Sequence, residues 1–296
     1  MSKGNVIVTG VSSGIGLAIA RDLASAGFRV FGSVRRDEDG LRLREELGEA
    51  FVPLRFDVTD PVAVNLAAEA ARQACAGAGI VGLVNNAGIA VAGPLLHVPI
   101  EEFRRQMEVN VVGVLTVARA FFPLLVSARA AGLRPRIVNM SSVSGRFAMP
   151  FLGPYAASKH ALEAVSDSLR RELITHGVDV IVVQPGRVET PIWAKSSDLD
   201  PYSQTEYADP LAVLKEMVER RKGLLPAAAV ACAVRKALTA KYPKARYVVV
   251  ENRLLAWWLP RVLPDRWFDR LAVSRLGIRP PGPGVLKLRK NGRMEE

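Results

Sequence analysis

The sequence predicts an α/β fold in which a single domain forms a doubly wound parallel sheet of about seven strands, with helices on both faces. Three observations favour this fold. Short apolar, β-branched runs alternate with helical patterns between residues 5 and 250. A glycine-rich turn joins the first of these runs to the first helical pattern. The run over 178–183 is almost entirely apolar, as expected of a strand that is buried on both faces of a sheet.

Length and composition are those of a globular protein. The chain has 296 residues, of which 49% are hydrophobic, and this suits one large α/β domain or two small ones. We expect one domain over residues 1–250, followed by a hydrophobic and then basic C-terminal extension over 251–296. The first residues lead directly into a strand, so we expect neither a signal peptide nor a membrane span there.

Cysteine, histidine and charge usage narrows the functional classes. Cys75 and Cys232 lie in alanine-rich, helix-like sequence and are expected to be reduced, which is typical of a cytoplasmic protein. His97, His160 and His176 lack the spacing of metal ligands, and we predict no metal site. The net charge of +11 is spread along the chain without a nucleic-acid motif, so the expected partner is a small anion or a membrane surface, not a nucleic acid.

A glycine-rich turn follows the first strand. The run over 5–9 ends in GVSSGIG, and a helical pattern comes next. A strand, a glycine turn and a helix in this order place backbone N–H groups and a helix N-terminus against a phosphate, as in Rossmann-type folds. The spacing is GxxxGxG rather than GxGxxG, and such a turn alone is also compatible with a structural role. The expected phosphate contacts are Gly10, Ser12, Ser13, Gly14, Ile15 and Gly16.

The second strand indicates which dinucleotide is bound. It covers 28–34, and its end lies about twenty residues beyond the glycine turn, where a dinucleotide fold places the adenosine ribose. Arg35 and Arg36 follow, with no carboxylate to accept from a ribose 2′-hydroxyl. Paired guanidinium groups suit a 2′-phosphate, so we infer NADP(H) over NAD(H). Two arginines after a strand could also be ordinary loop charges.

The next two strands end in small or polar residues. Asp57 follows the strand over 50–56 and could accept a hydrogen bond from an adenine amino group, or cap a turn before the helix that opens at 59–61. The strand over 80–84 ends in NNAG. The side chains of Asn85 and Asn86 could tie neighbouring strand ends together, while Ala87 and Gly88 permit close approach of a ligand.

One polar residue interrupts a long helical pattern over 103–127, which also contains Gly113 and Pro123. Asn110 lies in the apolar run VNVVGVLTVA. A buried amide requires hydrogen-bond partners, so Asn110 is either satisfied within the core or anchors a path for water or protons.

The stretch over 141–159 carries the candidate chemistry. Tyr155 and Lys159 are four residues apart, which on a helix places a phenol and an ammonium on one face. A neighbouring positive charge would lower the pKa of the tyrosine. The hydroxyl of Ser141 or Ser142, at the end of the strand over 136–140, could fold back to the phenol. Such a pair alone is most often a solvated helix face.

The regular alternation ends after the strand over 178–183. An irregular insertion over about 190–225 is placed where an active-site lid would lie, although a surface loop is equally compatible. Its apolar underside would be formed by Trp193, Leu211, Leu214 and Met217. The extension over 251–296 begins with tryptophans, leucines and arginines at helical spacing. It could pack across the site or lie on a membrane surface.

Together these residues resemble the short-chain dehydrogenase/reductase family, of the YxxxK type, over residues 4–250. The resemblance rests on the order and spacing of TGVSSGIG, NNAG, Asn110, Ser142, YAASK and the PG dipeptide at Pro185. It implies an NADP(H)-dependent oxidoreductase with Ser142, not Ser141, as the catalytic serine. It implies further cofactor contacts from the residues Val58, Pro185, Gly186, Val188 and Thr190, together with Tyr155 and Lys159.

The resemblance also implies roles for the catalytic residues. Ser142 would hold the substrate oxygen, and Tyr155 would act as acid in reduction and as base in oxidation. Lys159 would lower the pKa of the tyrosine, bind the nicotinamide ribose and connect through water to Asn110. Family members commonly pair through the helices that carry Asn110 and Tyr155, so a homodimer or homotetramer is expected.

Within the family, the sequence is similar to the hydroxysteroid and retinol dehydrogenase branch, through Ser12 with Arg35 and the long hydrophobic C-terminal segment. That similarity implies a bulky apolar alcohol or ketone that is steroid-, retinoid- or lipid-like. Two alternatives remain on the same fold: a catalytically idle NADPH-binding sensor and a membrane-peripheral interaction protein. The expected substrate contacts are Ser142, Phe147, Met149, Leu152, Tyr155 and Trp193.

Overall fold

The computed structural model describes residues 3–192, 199–219 and 223–279, and two short strands at 287–288 and 294–295. Within these ranges the fold is built on a parallel sheet. Its strands are β1 (Asn5–Val8), β2 (Arg29–Val34), β3 (Phe51–Arg55), β4 (Gly82–Asn85), β5 (Arg136–Met140), β6 (Asp179–Pro185) and β7 (Arg246–Val249). Their order in the sheet is β3-β2-β1-β4-β5-β6-β7. This sheet confirms the predicted fold class.

Helices cover both faces of the sheet. One face is packed by α1, α2 and the helix before β7, and the other by α3 and α5, so each face has its own apolar core. The helices are α1 (Gly14–Ser25), α2 (Asp37–Leu47), α3 (Pro61–Ala74), α4 (Ile100–Met107), α5 (Gly113–Ala130), α6 (Gly153–Glu172), α7 (Ala208–Glu219), α8 (Ala227–Thr239), α9 (Leu259–Val262) and α10 (Asp265–Arg275).

The strand order reverses between β1 and β4. The chain moves outward from β1 through β2 to β3, returns to β4, and then moves outward on the other side to β7. In an open parallel sheet, this reversal opens a crevice beyond the carboxyl ends of the strands, and ligands bind there. The glycine turn after β1 and the NNAG sequence after β4 both lie at this point.

One helical stretch of the described chain, Ile100–Ala130, is long and apolar enough by length and composition to span a membrane. Half of its most apolar window is buried inside the fold. Val117, Phe121 and Leu125 are fully buried and belong to the core on one face of the sheet. In this fold the stretch packs as a core helix.

The chain beyond β6 forms a smaller apolar cluster beside the main core. Leu211 and Leu214 on α7 are buried against Phe151 and Leu276, so the amphipathic pattern of this helix does cover an apolar underside. After β7 the chain forms a π-helical turn, Leu254–Trp258, and then α9 and α10. The short strands β8 (Lys287–Leu288) and β9 (Met294–Glu295) pair antiparallel.

Candidate active site

A cleft of about 530 Å³ opens at the reversal of the strand order. It collects side chains and backbone from the carboxyl ends of six strands, β1 to β6. Of the predicted residues, those that line it are Gly10, Ser12, Ser13, Gly14, Ile15, Gly16, Arg35, Asp57, Val58, Ala87, Gly88, Ser142, Tyr155, Lys159, Pro185, Gly186, Val188 and Thr190.

The glycine turn fits closely against the end of β4. A Cβ atom at Gly16 would lie 2.1 Å from the carbonyl oxygen of Gly10 and 2.5 Å from Nδ2 of Asn86. Gly10 and Gly14 have φ angles of +69° and +58°. Only glycine suits these positions, and the N-terminus of α1 opens directly onto the cleft. Backbone N–H groups at a helix N-terminus bind phosphate well, so the turn fits a dinucleotide pyrophosphate.

Asn86, which was not among the predicted cofactor contacts, holds this turn in place. Its Nδ2 donates to the carbonyl oxygens of Thr9 at 2.9 Å and Gly10 at 3.1 Å. The hydroxyl oxygen of Thr9 in turn accepts from the N–H groups of Asn86 and Ala87, each at 2.9 Å. The repeated asparagine in NNAG was the available signal. Only the structure separates the roles of its two members.

Asn85 does not line the cleft. Its side chain is buried within the sheet, where Nδ2 donates to Oδ1 of Asn139 at 2.8 Å, and Asn139 donates to Ser166 at 2.9 Å. Successive residues of a strand point to opposite faces, so Asn85 ties β4 to β5 and α6 while Asn86 faces the glycine turn. Asn86, and not Asn85 as expected, is therefore the asparagine that lines the cleft.

Of the two arginines after β2, again only one lines the cleft. Arg35 lines the cleft, and its Nη1 lies 3.8 Å from Oδ2 of Asp57. Arg36 is not among the lining residues and donates to Asp39 at 3.2 Å. A third guanidinium group, that of Arg42, donates to the carbonyl oxygen of Ser12 at 3.0 Å. The positive charge that suits a 2′-phosphate therefore comes from Arg35, with Arg42 beside the turn.

Asp57 caps the turn before α3, which is one of the two roles that the sequence left open, and it also faces the cleft. Its Oδ1 accepts from the N–H group of Thr59 at 3.0 Å and from the Thr59 hydroxyl at 2.8 Å, which fixes the turn before α3. The helix is capped separately by Asp60, whose carboxylate accepts from Val62 and Ala63.

Ser142 and Tyr155 are brought together at the centre of the cleft. Their side chains are hydrogen bonded, and both residues are buried. The Ser142 hydroxyl also accepts from the N–H group of Ser144 at 3.1 Å and lies 3.5 Å from the carbonyl oxygen of Pro185. Ser141 makes no side-chain hydrogen bond within the described chain. The geometry thus pairs Ser142, and not Ser141, with the phenol.

Lys159 lies one helical turn beyond the tyrosine on α6. Its Nζ donates to the carbonyl oxygen of Met140 at 2.8 Å and lies 5.6 Å from the centre of the Tyr155 ring. Burial lowers the pKa of Lys159 to about 8, and the carboxylate of Glu163 opposes this shift. The ammonium is therefore held in a buried position between the strand end and the phenol.

The pKa of Tyr155 is shifted in the direction opposite to the expected one. Burial raises it, and the hydrogen bond from Ser142 opposes the rise. Burial disfavours the charged phenolate, and the ammonium of Lys159, which was expected to lower the pKa, is bound to the Met140 carbonyl and lies 5.6 Å from the centre of the ring. A raised pKa keeps the phenol protonated at neutral pH.

Asn110 is buried behind the cleft and is fully hydrogen bonded. Its Oδ1 accepts from the N–H group of Ile89 at 2.9 Å, and its Nδ2 donates to the Ile89 carbonyl at 3.0 Å and to the Ser158 hydroxyl at 3.1 Å. The Ser158 hydroxyl donates to the carbonyl oxygen of Tyr155 at 2.8 Å. Asn110 therefore connects the loop after β4 with the backbone that carries Tyr155.

This position depends on a π-helical turn, Glu108–Val112, between α4 and α5. A π-helical turn inserts a residue and redirects a side chain, and such turns are frequent at functional sites. Gln106, one turn earlier, is also fully buried and donates to the carbonyl of Ile89 at 2.9 Å. Helical periodicity gives no signal for either feature.

The predicted substrate contacts are distributed less regularly. Phe147 packs edge-on against Phe268 of α10, with ring centres 5.8 Å apart. Met149 lines a second, apolar groove between the serine–tyrosine loop and α10. Neither residue lines the main cleft, and Leu152 lies at the N-terminus of α6 without contributing to either space. Trp193 lies outside the described residues.

The end of β6 and the residues that follow it form another wall of the cleft. Val188 pairs with Leu225 in a single parallel bridge, which fixes the end of the predicted lid beside Pro185 and Gly186. Among the described residues, no group of three or more histidines, cysteines or carboxylates could hold a metal ion. The cleft thus offers a phosphate turn, a basic ribose end, a hydroxyl pair and a buried ammonium.

Comparisons with known proteins identify the family. The family model described as short chain dehydrogenase matches residues 4–200. The chain is 42% identical to NADPH-dependent 3-dehydrocapnine reductase of Ornithobacterium rhinotracheale over 91% of its length and 96% of the relative. It is 34% identical to human retinol dehydrogenase 5, over 90% and 87%. A short-chain dehydrogenase of Burkholderia cenocepacia, crystallised with NADP, matches with a TM-score of 0.70 and 26% identity over 94% and 99% of the two chains.

Proposed function

The chain belongs to the short-chain dehydrogenase/reductase family of oxidoreductases, and we propose that it is an NADP(H)-dependent enzyme. Its proposed reaction interconverts a carbonyl and a secondary or primary alcohol on a bulky apolar substrate. One observation carries the proposal. The hydrogen-bonded pair Ser142 and Tyr155, with Lys159 one turn away, lies on the same cleft as the glycine turn and Arg35. A proton donor and a dinucleotide site therefore share one space.

The bound cofactor would supply or accept a hydride at the carbon of the carbonyl group. The chain holds it with the backbone of the glycine turn at the pyrophosphate and with Arg35 at the 2′-phosphate. Pro185, Gly186, Val188 and Thr190 form the wall at the nicotinamide end. Similarity to a relative named as NADPH-dependent supports the preference for NADP(H).

Ser142 and Tyr155 manage the oxygen of the substrate. The serine hydroxyl donates to that oxygen and orients it, and the phenol transfers its proton to it as the carbonyl becomes a hydroxyl. In oxidation the phenolate takes the proton back. Because burial raises the pKa of Tyr155, the phenol is protonated at neutral pH, and this favours its role as the acid in reduction.

The substrate class rests on the apolar surroundings of the site. The serine–tyrosine loop presents Phe147 and Met149, and the adjoining groove of about 480 Å³ is lined by Leu95, Phe151 and Phe268. Similarity to relatives named as a retinol dehydrogenase and a 3-dehydrocapnine reductase supports a steroid-, retinoid- or lipid-like alcohol or ketone.

Oxidation of NADPH with a panel of ketones and one aldehyde tests the proposal. The panel spans small ketones, steroid ketones, retinal and a long-chain aliphatic ketone. We expect turnover with at least one bulky member, and at least about tenfold lower kcat/KM with NADH, which corresponds to about 1.4 kcal/mol. Tight binding of NADPH without turnover of any member would instead support the catalytically idle sensor.

A second, compatible role at a membrane surface is favoured by the face that the C-terminal segment exposes. Leu254, Trp258 and Val262 recur every four residues and are exposed by 69%, 55% and 69%, and Trp267 on α10 is exposed by 63%. Between 253 and 279 the chain has six arginines and two aspartates. An exposed apolar stripe beside arginines suits an anionic lipid surface.

Sedimentation with vesicles tests this role in the full chain. We expect cosedimentation with phosphatidylglycerol vesicles and loss of it in Trp258→Gln. Leu66→Gln, which removes an equally exposed leucine on α3, is the matched control and should keep the binding. Equal sedimentation of the two variants would show that this exposed face does not bind the vesicles. We place the enzyme in the cytoplasm as a homodimer or homotetramer that touches the membrane in this way.

A further inference from the structure

A carboxylate is buried directly beneath the catalytic residues. Glu163 lies on α6, one turn beyond Lys159, and is only 4% exposed. A buried carboxylate is expensive unless it is paired and hydrogen bonded. Neither the family resemblance nor the mechanism above requires an acid at this position.

The partners of Glu163 come from three separate segments. Its Oε2 accepts from Arg146 at 3.1 Å and from Arg246 at 2.9 Å, and its Oε1 accepts from Nε2 of Gln184 at 2.7 Å. Arg146 lies four residues beyond Ser142, and Arg246 begins β7. Gln184 lies in β6, directly before Pro185. One carboxylate thus joins α6 to three segments, two of which adjoin the cleft.

The contact between the serine loop and α6 leaves almost no free space. A Cβ atom at Gly145 would lie 2.7 Å from the Ser141 hydroxyl, 3.0 Å from Cγ of Glu163 and 3.0 Å from the carbonyl oxygen of Lys159. The loop therefore rests on the helix at the point where Glu163 binds Arg146. A shift of the carboxylate would move the loop that carries Ser142.

We propose that Glu163 is a positioning residue of this active site, which holds the Ser142 loop on α6 through its contacts with Arg146 and Gln184. This inference rests on the proposed function. It assigns to the carboxylate two effects on one site: a geometric effect through Arg146 and Gln184, and an electrostatic effect on the neighbouring lysine.

The charged groups around Glu163 define its electrostatic effect. Arg146 faces it from the serine loop and Arg246 from β7, while Lys159 and Asp167 flank it on α6. Arg261 of the C-terminal segment also acts on Arg146 through its charge. Four cations thus surround two carboxylates, and Glu163 is the group that raises the pKa of Lys159 against the effect of burial. Removing its charge should lower the pKa of the lysine further.

Glu163→Gln keeps the shape of the side chain and removes the charge. We measure the titration of Lys159 by ¹³Cε NMR of lysine-labelled protein, with the resonance assigned by Lys159→Met, and the pH profile of kcat/KM. The expected result is a fall in the lysine pKa of about one unit. The alkaline limb of the profile should move down with it, because the ammonium form is lost at lower pH, and kcat should fall about tenfold.

Asp167→Asn is the matched control, because Asp167 binds Arg246 from the next turn of α6 but lies farther from Lys159. It should leave the titration of Lys159 in place. An unchanged lysine titration in Glu163→Gln would overturn the proposal, and this readout needs no turnover. A titration that shifts in a protein that reduces no ketone would refute the proposed function instead.

If Glu163→Gln does not fold, Arg146→Met tests the same contact from the loop. It leaves the carboxylate and its effect on Lys159 in place and removes the hold on Ser142. We expect kcat to fall about tenfold while the affinity for NADPH, measured by fluorescence titration, changes by less than about twofold. A loss of stability with unchanged kcat would assign Glu163 to the structure alone and contradict the proposal.

Discussion

Tyr155 and Lys159 are both buried, and burial acts on them in opposite directions. It raises the pKa of the phenol and lowers that of the ammonium, so each group is moved toward its neutral form. At neutral pH the phenol is therefore protonated, whereas the lysine, with a pKa of about 8, is still mostly charged. The site therefore starts in the state that suits proton donation.

The lowered pKa of Lys159 predicts a stability cost at neutral pH. Below pH 8 the folded and unfolded chains both hold the proton, and the folded state bears the full cost of a buried charge. Between pH 8 and 10.5 the unfolded chain binds more protons at this residue than the folded chain does, so the contribution of Lys159 to the free energy of unfolding rises with pH. The difference between the pKa of about 8 in the fold and the ordinary value of 10.5 corresponds to on the order of 3 kcal/mol.

Lys159→Met should therefore stabilise the fold at pH 7 while it removes activity. The gain is reduced by about 1 kcal/mol because the Met140 carbonyl loses its donor, which leaves about 1–2 kcal/mol. Urea unfolding at pH 7 and pH 10 measures it, and the advantage should shrink at the higher pH. A variant that is less stable than the wild type at pH 7 would contradict the assignment.

Arg35 and Arg36 provide a pair of variants that differ in one respect. Arg35 lines the cleft, whereas Arg36 points to Asp39. A hydrogen bond to a charged group contributes about 1.5–3 kcal/mol, so Arg35→Asp should weaken NADPH binding roughly 10–100-fold and shift preference toward NADH. Arg36→Asp should change the affinity by less than about threefold. Equal effects in fluorescence titrations of the two variants would disprove the assignment of Arg35.

At the scale of elements, the site depends on close contacts between strand ends and helix starts. The glycine turn approaches β4 so closely that Asn86 can bind two carbonyl groups of the turn at once. The same principle holds behind the cleft, where the π-helical turn directs Asn110 to Ile89 and to Ser158. Small residues and amides, rather than charges, set these distances.

Gly16→Ala tests the first of these contacts. The added methyl would lie 2.1 Å from the carbonyl oxygen of Gly10, so the turn must move, at a cost of about 1–3 kcal/mol. We expect at least about tenfold weaker NADPH binding in addition to the loss of stability. Gly132→Ala is the control: its φ is +82° and nothing lies within 4 Å, so it should lose stability without losing affinity. Unchanged NADPH affinity in Gly16→Ala would remove the turn from the binding site.

The strands and helices could be predicted because their signals are local. The strands β1 to β6 were expected within about two residues of their observed bounds, since β-branched runs and turn residues mark both ends. The direction of individual side chains could not be predicted, because it depends on pleat and register. This is why Asn85 and Arg36 were expected at the cleft, whereas Asn86 and Arg42 are the residues that contact its turn.

Two other features of the site depend on contacts that sequence spacing does not encode. The π-helical turn at Asn110 breaks the 3.6-residue period of apolar residues by which an α-helix is recognised in a sequence. Glu163 was passed over because its partners, Arg146 and Arg246, are far away in the chain and meet only when β7 joins the sheet. Long-range polar contacts of this kind require the fold before they can be recognised.

At the scale of the whole molecule, the chain divides its work between two regions. The sheet and its helices hold the dinucleotide cleft, while α7, the serine–tyrosine loop and the C-terminal helices form a separate apolar cluster beside it. Phe151, which belongs to that loop, has a φ of +65° and is held there by contacts with Tyr207. The proposed substrate wall therefore consists of segments that lie outside the sheet.

Phe268 on α10 allows the role of that wall to be measured. Its ring packs edge-on against Phe147, an arrangement worth about 1 kcal/mol beyond the buried area. In lipid-free buffer, Phe268→Ala should raise KM for a bulky ketone about tenfold and leave a small ketone nearly unaffected. Trp267→Ala, which removes the exposed neighbour, should alter neither value by more than about twofold. If KM for the bulky ketone does not change in Phe268→Ala, the C-terminal helices are not part of the substrate wall.

The central claim is that Tyr155 transfers the proton in a cleft that also holds NADP(H). The most direct measurement compares kcat and the NADPH dissociation constant in the wild type and in Tyr155→Phe, which removes one hydroxyl and keeps the buried ring. The claim predicts that kcat falls by at least about a thousandfold while the dissociation constant changes by less than about threefold. Turnover within about tenfold of the wild type, with NADPH still bound, would contradict it.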